Sequence, residues 1–321
     1  MNRLSPMLSW CLPLWCLLAL IGATGSVAAR GLTDPALRER QRTLVDAAVA
    51  GLAPQRPGQP DLYVVGFGGD STEDVFRNET VYLDSLMSQR FGARGRVATL
   101  INHSDSLIRT PRPLATLENL RAVLAGVGKT MDHEQDVLLL FMTMHGTPQH
   151  QLFVQLAPVY FDLIDPGQLR KALDDAGIRN RVLVISACYS GGFVPALKSN
   201  DTLILTAAHR NRPSFGCGPD SDATYFGRAW LVDGLNETTD FVAAFETAKT
   251  RIAEREKEEG FRSSRPQISV GKQILPRLQA WQSQLVPGPK VAYAVPAPPA
   301  PATNAATPAK ANNGKESKPK K

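Results

Sequence analysis

The 321-residue chain reads as a three-layer α/β sandwich around a mostly parallel central sheet of about six strands. Two stretches carry that reading: Asp136-Val-Leu-Leu-Leu-Phe-Met-Thr-Met-His145-Gly146 and Arg181-Val-Leu-Val-Ile-Ser-Ala-Cys188-Tyr-Ser-Gly-Gly192. Each is a nearly unbroken apolar run, as a strand buried on both faces of a parallel sheet requires. Helical and strand patterns also alternate along the chain, which implies right-handed crossovers.

The elements follow in order. Residues 1–29 form a secretory signal peptide: a basic start at Met1-Asn-Arg3, an apolar run from Leu8 to Ile21, and small residues at Ser26-Val-Ala-Ala29. Cleavage is expected after Ala28 or Ala29. Left uncleaved, the segment would be a membrane anchor, although its run is short for a span of about 20 residues. Residues 30–60 hold a helix from Pro35 to Leu52, opened by Thr33-Asp34 and Pro35, and a linker from Pro54 to Pro60.

The domain itself covers residues 61–285, with no internal repeat. Strand Leu62–Gly66 ends in the loop Phe67-Gly-Gly-Asp70; helix Glu73–Phe91, strand Arg96–Ile101 and polar loop Asn102–Pro113 follow. Helix Leu114–Thr130 leads to the His145 strand, and Gln151–Val159 suggests a side hairpin. Asp165-Pro166 opens a helix to Ala176 before the Cys188 strand. A fifth strand is expected at Leu203–Thr206, helices at Asp222–Val232 and Glu237–Glu259, and a last strand at Gln267–Val270. Residues 286–321, rich in Pro, Ala and Lys, read as a disordered tail.

The formal charge of +6 belongs to the appendages, because residues 30–285 hold 29 basic and 29 acidic side chains. That neutrality excludes a nucleic-acid-binding face, which needs clustered basic charge on the domain. No His or carboxylate pair has metal-ligand spacing, and Gly66-Phe-Gly-Gly69 lacks the full phosphate-binding pattern. Neither metal nor cofactor is therefore expected. A peptide or protein substrate is the one partner implied, with membrane contact only through an uncleaved signal. The sequence carries no sign of oligomeric state.

Ligands of open α/β sheets sit beyond the carboxyl ends of the strands, and neighbouring strands lie about 5 Å apart. If the two long runs are neighbours, His145 and Cys188 face each other there. Cysteine attacks as thiolate, and a histidine beside it can take the proton and later return it to the leaving group. Gly146 can present its N–H unobstructed, and with the N–H of Cys188 it could hold an oxyanion. Taken singly, Cys188 could be an inert buried thiol and His145 a satisfied core histidine; matching positions on successive strands favour the catalytic pair. His103 and His133 read as surface residues, while His150 and His209 lie close enough to the active edge to line a cleft. Cys188 and Cys217 remain after signal removal, and a structural disulfide is the competing reading. A domain of this size needs no such staple.

These blocks resemble the legumain family of caspase-like-fold cysteine peptidases, which includes asparaginyl endopeptidases and the catalytic subunit of the GPI transamidase. The resemblance spans about Leu62 to Val270: an apolar strand into His145-Gly146, another into Ala187-Cys188-Tyr189-Ser190-Gly191, then Thr206-Ala207-Ala208, Cys217 and Thr224-Tyr225-Phe226-Gly227. It implies a caspase/legumain-like fold and an exported, bacterial-type cysteine endopeptidase. Periplasm or medium is its expected location. Catalysis would fall to Cys188, His145 and Gly146, and substrate binding to Arg77, Ser186, Ser214 and Arg228. Cys217 would lie in a substrate loop away from the nucleophile, without a bridge. A transamidase on the same dyad and a non-enzymatic peptide-binding protein with a degenerate pocket remain as alternatives.

The sequence also departs from the family's pattern. Members that cut after asparagine carry acidic residues where this chain has Ser186 and Arg228, and one of two pocket serines is Pro213. An asparagine that bonds the catalytic histidine in some members falls near Val75, with Asp74 one position away. Arg77 and Arg228 without acidic partners would favour Asp or Glu before the scissile bond, because guanidinium pairs bidentately with carboxylate. The competing reading is that Arg228 turns to solvent or pairs with Asp220 or Asp222 and leaves a loose pocket.

Overall fold

The structure, a computed structural model, describes residues 31–295 apart from Pro219. The expected signal peptide and the tail beyond Val295 lie outside the described residues. The first half runs α1 (Pro35–Ala50), β1 (Leu62–Gly68), α2 (Asp74–Arg90), β2 (Val97–Ile101), α3 (Ser104–Leu107), α4 (Leu117–Thr130) and β3 (Val137–Thr143). A hairpin of β4 (Leu152–Leu156) and β5 (Tyr160–Ile164) precedes α5 (Pro166–Asp175) and β6 (Arg181–Ser186). Then come a 3-10 turn (Ser190–Phe193), α6 (Val194–Leu197), β7 (Thr202–Thr206) and a π-helix (Gly227–Gly234). The last elements are α7 (Leu235–Glu237), α8 (Phe241–Glu258), β8 (Gln267–Val270) and α9 (Ile274–Gln284).

The six-stranded sheet has the order β2-β1-β3-β6-β7-β8, parallel except for β8. Side chains alternate across it. Tyr63, Val65, Leu138, Leu140, Leu183 and Ile204 join the core under α1, α4 and α5. Leu62, Val64, Leu139, Phe141, Val184 and Leu205 join the core under α2, the π-helix, α8 and α9. This period-2 division with both faces covered produces the three layers. Each large apolar side chain so withdrawn contributes about 1.5–3 kcal/mol.

Local signals set the helix starts. Asp34 caps α1 through its bond from the Ala36 N–H, and Asp165 forms a capping box with Gln168 at α5. No helix of the described residues is long and apolar enough to cross a membrane.

Several expectations need correction. The helix expected at Asp222–Val232 takes π geometry from Gly227, and the one after it begins at Phe241, behind the Asp240 cap. Helix α9 was not expected at all: Ile274, Leu278 and Trp281 bury at helical spacing, with Trp281 stacked on Phe91 and Phe241. The tail is not disordered from Val286. The Gly288 N–H donates to the Arg90 carbonyl (3.1 Å), and Arg90 Nη1 returns a bond to the Gly288 carbonyl (2.7 Å). Farther on, the Val291 N–H and carbonyl pair with the Asn236 amide (2.9 Å each). The Asn236 side chain is thus the clasp of this strap.

Candidate active site

Strands β3 and β6 are neighbours, with Thr143 in register with Ser186. His145 and Cys188 each lie two residues beyond that pair, so both leave the sheet at the same level. A Cβ on Gly146 would run into the Cys188 carbonyl oxygen, so only glycine fits between the two chains. Neither the Gly146 nor the Cys188 N–H donates to a backbone carbonyl among the described residues, leaving two donors beside the thiol.

The His145 ring is held by packing, with Phe76 edge-on at 5.1 Å and 84°. The candidate third member turns elsewhere. Asp74 accepts from Arg77 Nη2 (3.0 Å) and pairs with His103 Nε2 (3.1 Å). The Cys188 sulfur meets Ser214, whose N–H lies 3.3 Å and hydroxyl 3.7 Å from Sγ. Ser214 thus reaches the Cys188 thiol itself.

Beyond Cys188 the chain turns sharply. Tyr189 adopts φ +58°, a left-handed conformation that costs a bulky residue about 1–3 kcal/mol. Its N–H donates to the Arg212 carbonyl (2.8 Å), and the Gly191 N–H to the Ala208 carbonyl (2.9 Å). These bonds hold the turn. His150, also at positive φ (+62°), lays its ring on Gly192 and keeps a buried Nδ1 without a partner. Burial first, then the Arg210 charge, lowers its pKa, which favours the neutral ring. His150 therefore packs on the turn that follows Cys188. His209 sits at the end of β7, its N–H on the Ser264 carbonyl (2.8 Å) and its Nδ1 accepting from the Asn211 N–H (3.2 Å). His103 is buried rather than on the surface, a correction forced by its bond to Asp74.

Ser186 is buried and hydrogen-bonds Thr224 (3.2 Å between hydroxyls). The same layer contains a residue that sequence reasoning passed over. Glu79, fully buried on α2, accepts from the Thr143 hydroxyl (2.6 Å) and the Thr224 N–H (2.7 Å), and fills the space a Cβ on Gly227 would take. Burial pushes its carboxyl pKa up, against the pull of those hydrogen bonds. One signal in the sequence was available: an acid among otherwise buried positions of an amphipathic helix.

The two arginines are not free of carboxylates, which corrects the premise of an acidic-residue pocket. Arg77, 3% exposed, bonds Asp105 (2.9 Å) and Asp74 (3.0 Å). Arg228 pairs with Asp222 (2.5 Å) and lies over the Tyr293 ring at 4.5 Å. Both cysteines among the described residues are free thiols. Burial, and secondarily the neighbouring Cys188, push the Cys217 thiol up to about 11, so it stays protonated and unreactive at neutral pH. Among the described residues no cluster of His, Cys, Asp or Glu could hold a metal ion.

No curated protein matches the chain. A family model, that of the peptidase C13 family, matches residues 116–277, which include His145, Gly146, Ser186, Cys188, Ser214 and Arg228 but not Arg77. With the six-stranded sheet and its flanking helices, that match settles kinship: the chain belongs to the peptidase C13, or legumain, family and is a cysteine-type peptidase.

Proposed function

We propose that this peptidase is an endopeptidase that hydrolyses peptide bonds through an acyl-enzyme on Cys188. The observation that carries the reading is the common level of His145 and Cys188, two residues past one register pair, with Gly146 wedged against the Cys188 carbonyl. His145 takes the thiol proton as Sγ bonds to the scissile carbonyl carbon. It then returns that proton to the amine as the C–N bond breaks. The N–H groups of Gly146 and Cys188 meet the oxyanion. Water, deprotonated by the same imidazole, releases the acid and restores the thiol. Export belongs to the same reading and rests on the order of charge, apolar run and small residues within 1–29.

A peptidyl acyloxymethyl ketone, which alkylates thiols, should label the protein, and a fluorophosphonate should not. Mass spectrometry should find the adduct on Cys188; an adduct elsewhere would sink the assignment. Products formed with an amine-bearing peptide present should remain acids. Ligated products would make the enzyme a transamidase instead.

A further inference from the structure

The strap that follows α9 runs from the sheet's amino end toward its carboxyl end, and every anchor along it is a specific bond. Arg90 holds Gly288, and Asn236 holds Val291, whose carbonyl also accepts from the Tyr82 hydroxyl (2.8 Å). Beyond these anchors lies Tyr293, whose hydroxyl donates to the Asp222 carbonyl (2.6 Å) while its ring meets Tyr82 edge-on at 5.0 Å. The other ring face carries the Arg228 guanidinium at 4.5 Å, which is also paired with the Asp222 carboxylate. Tyr293 therefore touches both residues of one ion pair, Arg228 at its guanidinium and Asp222 at its backbone carbonyl. Residues 286–295 lie outside the segment that the family model matches, so the family's pattern does not supply this contact.

We propose that Tyr293 is a positioning residue holding Arg228 on Asp222, away from substrate. This rests on the reading that Arg228 borders the pocket. A pinned, neutralised guanidinium leaves little to attract an acidic side chain. A released one could pair bidentately with a substrate carboxylate. The strap thus suppresses a preference for Asp that Arg228 would otherwise confer.

The test compares peptides that differ only by Asp or Asn before the scissile bond. Tyr293→Ala should raise the Asp:Asn ratio of kcat/KM about fivefold, through KM rather than kcat. Tyr293→Phe keeps the ring under Arg228 and should stay within about twofold of the native ratio. Ending the chain at Leu285 should reproduce Tyr293→Ala, whereas ending it at Val295 should change nothing. Affinities of the same peptides for the Cys188→Ala protein, measured by calorimetry, should shift by the same factor. That arm needs no turnover: if native protein shows no Cys188-dependent cleavage, the hydrolase reading fails while the affinities still decide this one. An unchanged ratio in Tyr293→Ala, even with a lower melting temperature, would overturn the proposal and leave the strap a brace. Equal loss of both peptides, or failure to bind either, would overturn it as well.

Discussion

Asp61 and Cys188 sit at opposite ends of the central sheet, and their surroundings treat them in opposite ways. At the amino end Asp61 is fully buried. Its carboxylate accepts from the Arg56 N–H (2.8 Å) and Nε (2.9 Å) and faces Arg96 Nε at 3.3 Å. Its own N–H donates to Asp136 (2.7 Å), whose second oxygen takes the Asp132 N–H (2.7 Å). Asn180 closes the set by donating to the Asp136 carbonyl (3.2 Å). At the carboxyl end the pattern is the reverse. Cys188 has only long contacts to Ser214, and the nearby His150 Nδ1 has no partner. Partners consumed inside the fold lock segments together; groups left with open valences can meet substrate.

Breaking each end should therefore move different observables. Cys188→Ala and His145→Ala should each lower kcat/KM by about a thousandfold or more. Both should leave the melting temperature within about 2 °C, because neither side chain carries a strong bond in the fold. Asp61→Ala should do the opposite. It strands Arg56 and Arg96 and should cost about 3 kcal/mol in a denaturant titration, toward the low end for a buried pair because Arg56 is half exposed and screened. Turnover per folded molecule should hold. A Cys188→Ala protein as unstable as Asp61→Ala would erase the distinction between the two ends.

The same contrast explains what could be read from the chain. The β3 and β6 runs were legible because strands buried on both faces must be apolar throughout, and His145 and Cys188 stood out because each follows the end of one of them. Ser214 and Ser186 could be reached only through the family's pattern. Glu79 showed only as an acid on the apolar side of α2 and could not be assigned its place, since its partner Thr224 is 145 residues away. The pairing of Arg77 with Asp105 was hidden for the same reason, because Asp105 comes from a loop whose course composition does not dictate, whereas Asp222, close in sequence to Arg228, was already among its candidate partners. The strap misled in another way. Its Pro, Gly and Lys content resembles that of a solvated tail, yet Gly288 and Val291 are bound largely through backbone groups, which composition does not register.

Glu79 gives the subtlest way to sharpen the comparison, because it lies at the carboxyl end yet is satisfied like a residue of the amino end. Burial raises its pKa above the ordinary 4.5, so the folded protein favours the neutral acid. The sign follows from proton counting. Below about pH 4.5 folded and unfolded chains both hold the proton, and the stabilisation is whole. As pH rises the unfolded chain ionises first, and stability drains away until the folded pKa is passed. Glu79→Gln copies the neutral acid, accepting from the Thr224 N–H and offering an N–H toward the Thr143 hydroxyl, and it does not titrate. The stability of native protein minus that of Glu79→Gln should therefore fall as pH rises above about 4.5, with a slope no steeper than about 1.4 kcal/mol per unit. Denaturant titrations across that range measure it. Turnover should stay within about threefold, since the group touches Thr143, Thr224 and Gly227 rather than substrate. A difference that grows with pH would mean that Glu79 is ionised in the fold, and that a buried negative charge behind the dyad belongs to the active end after all.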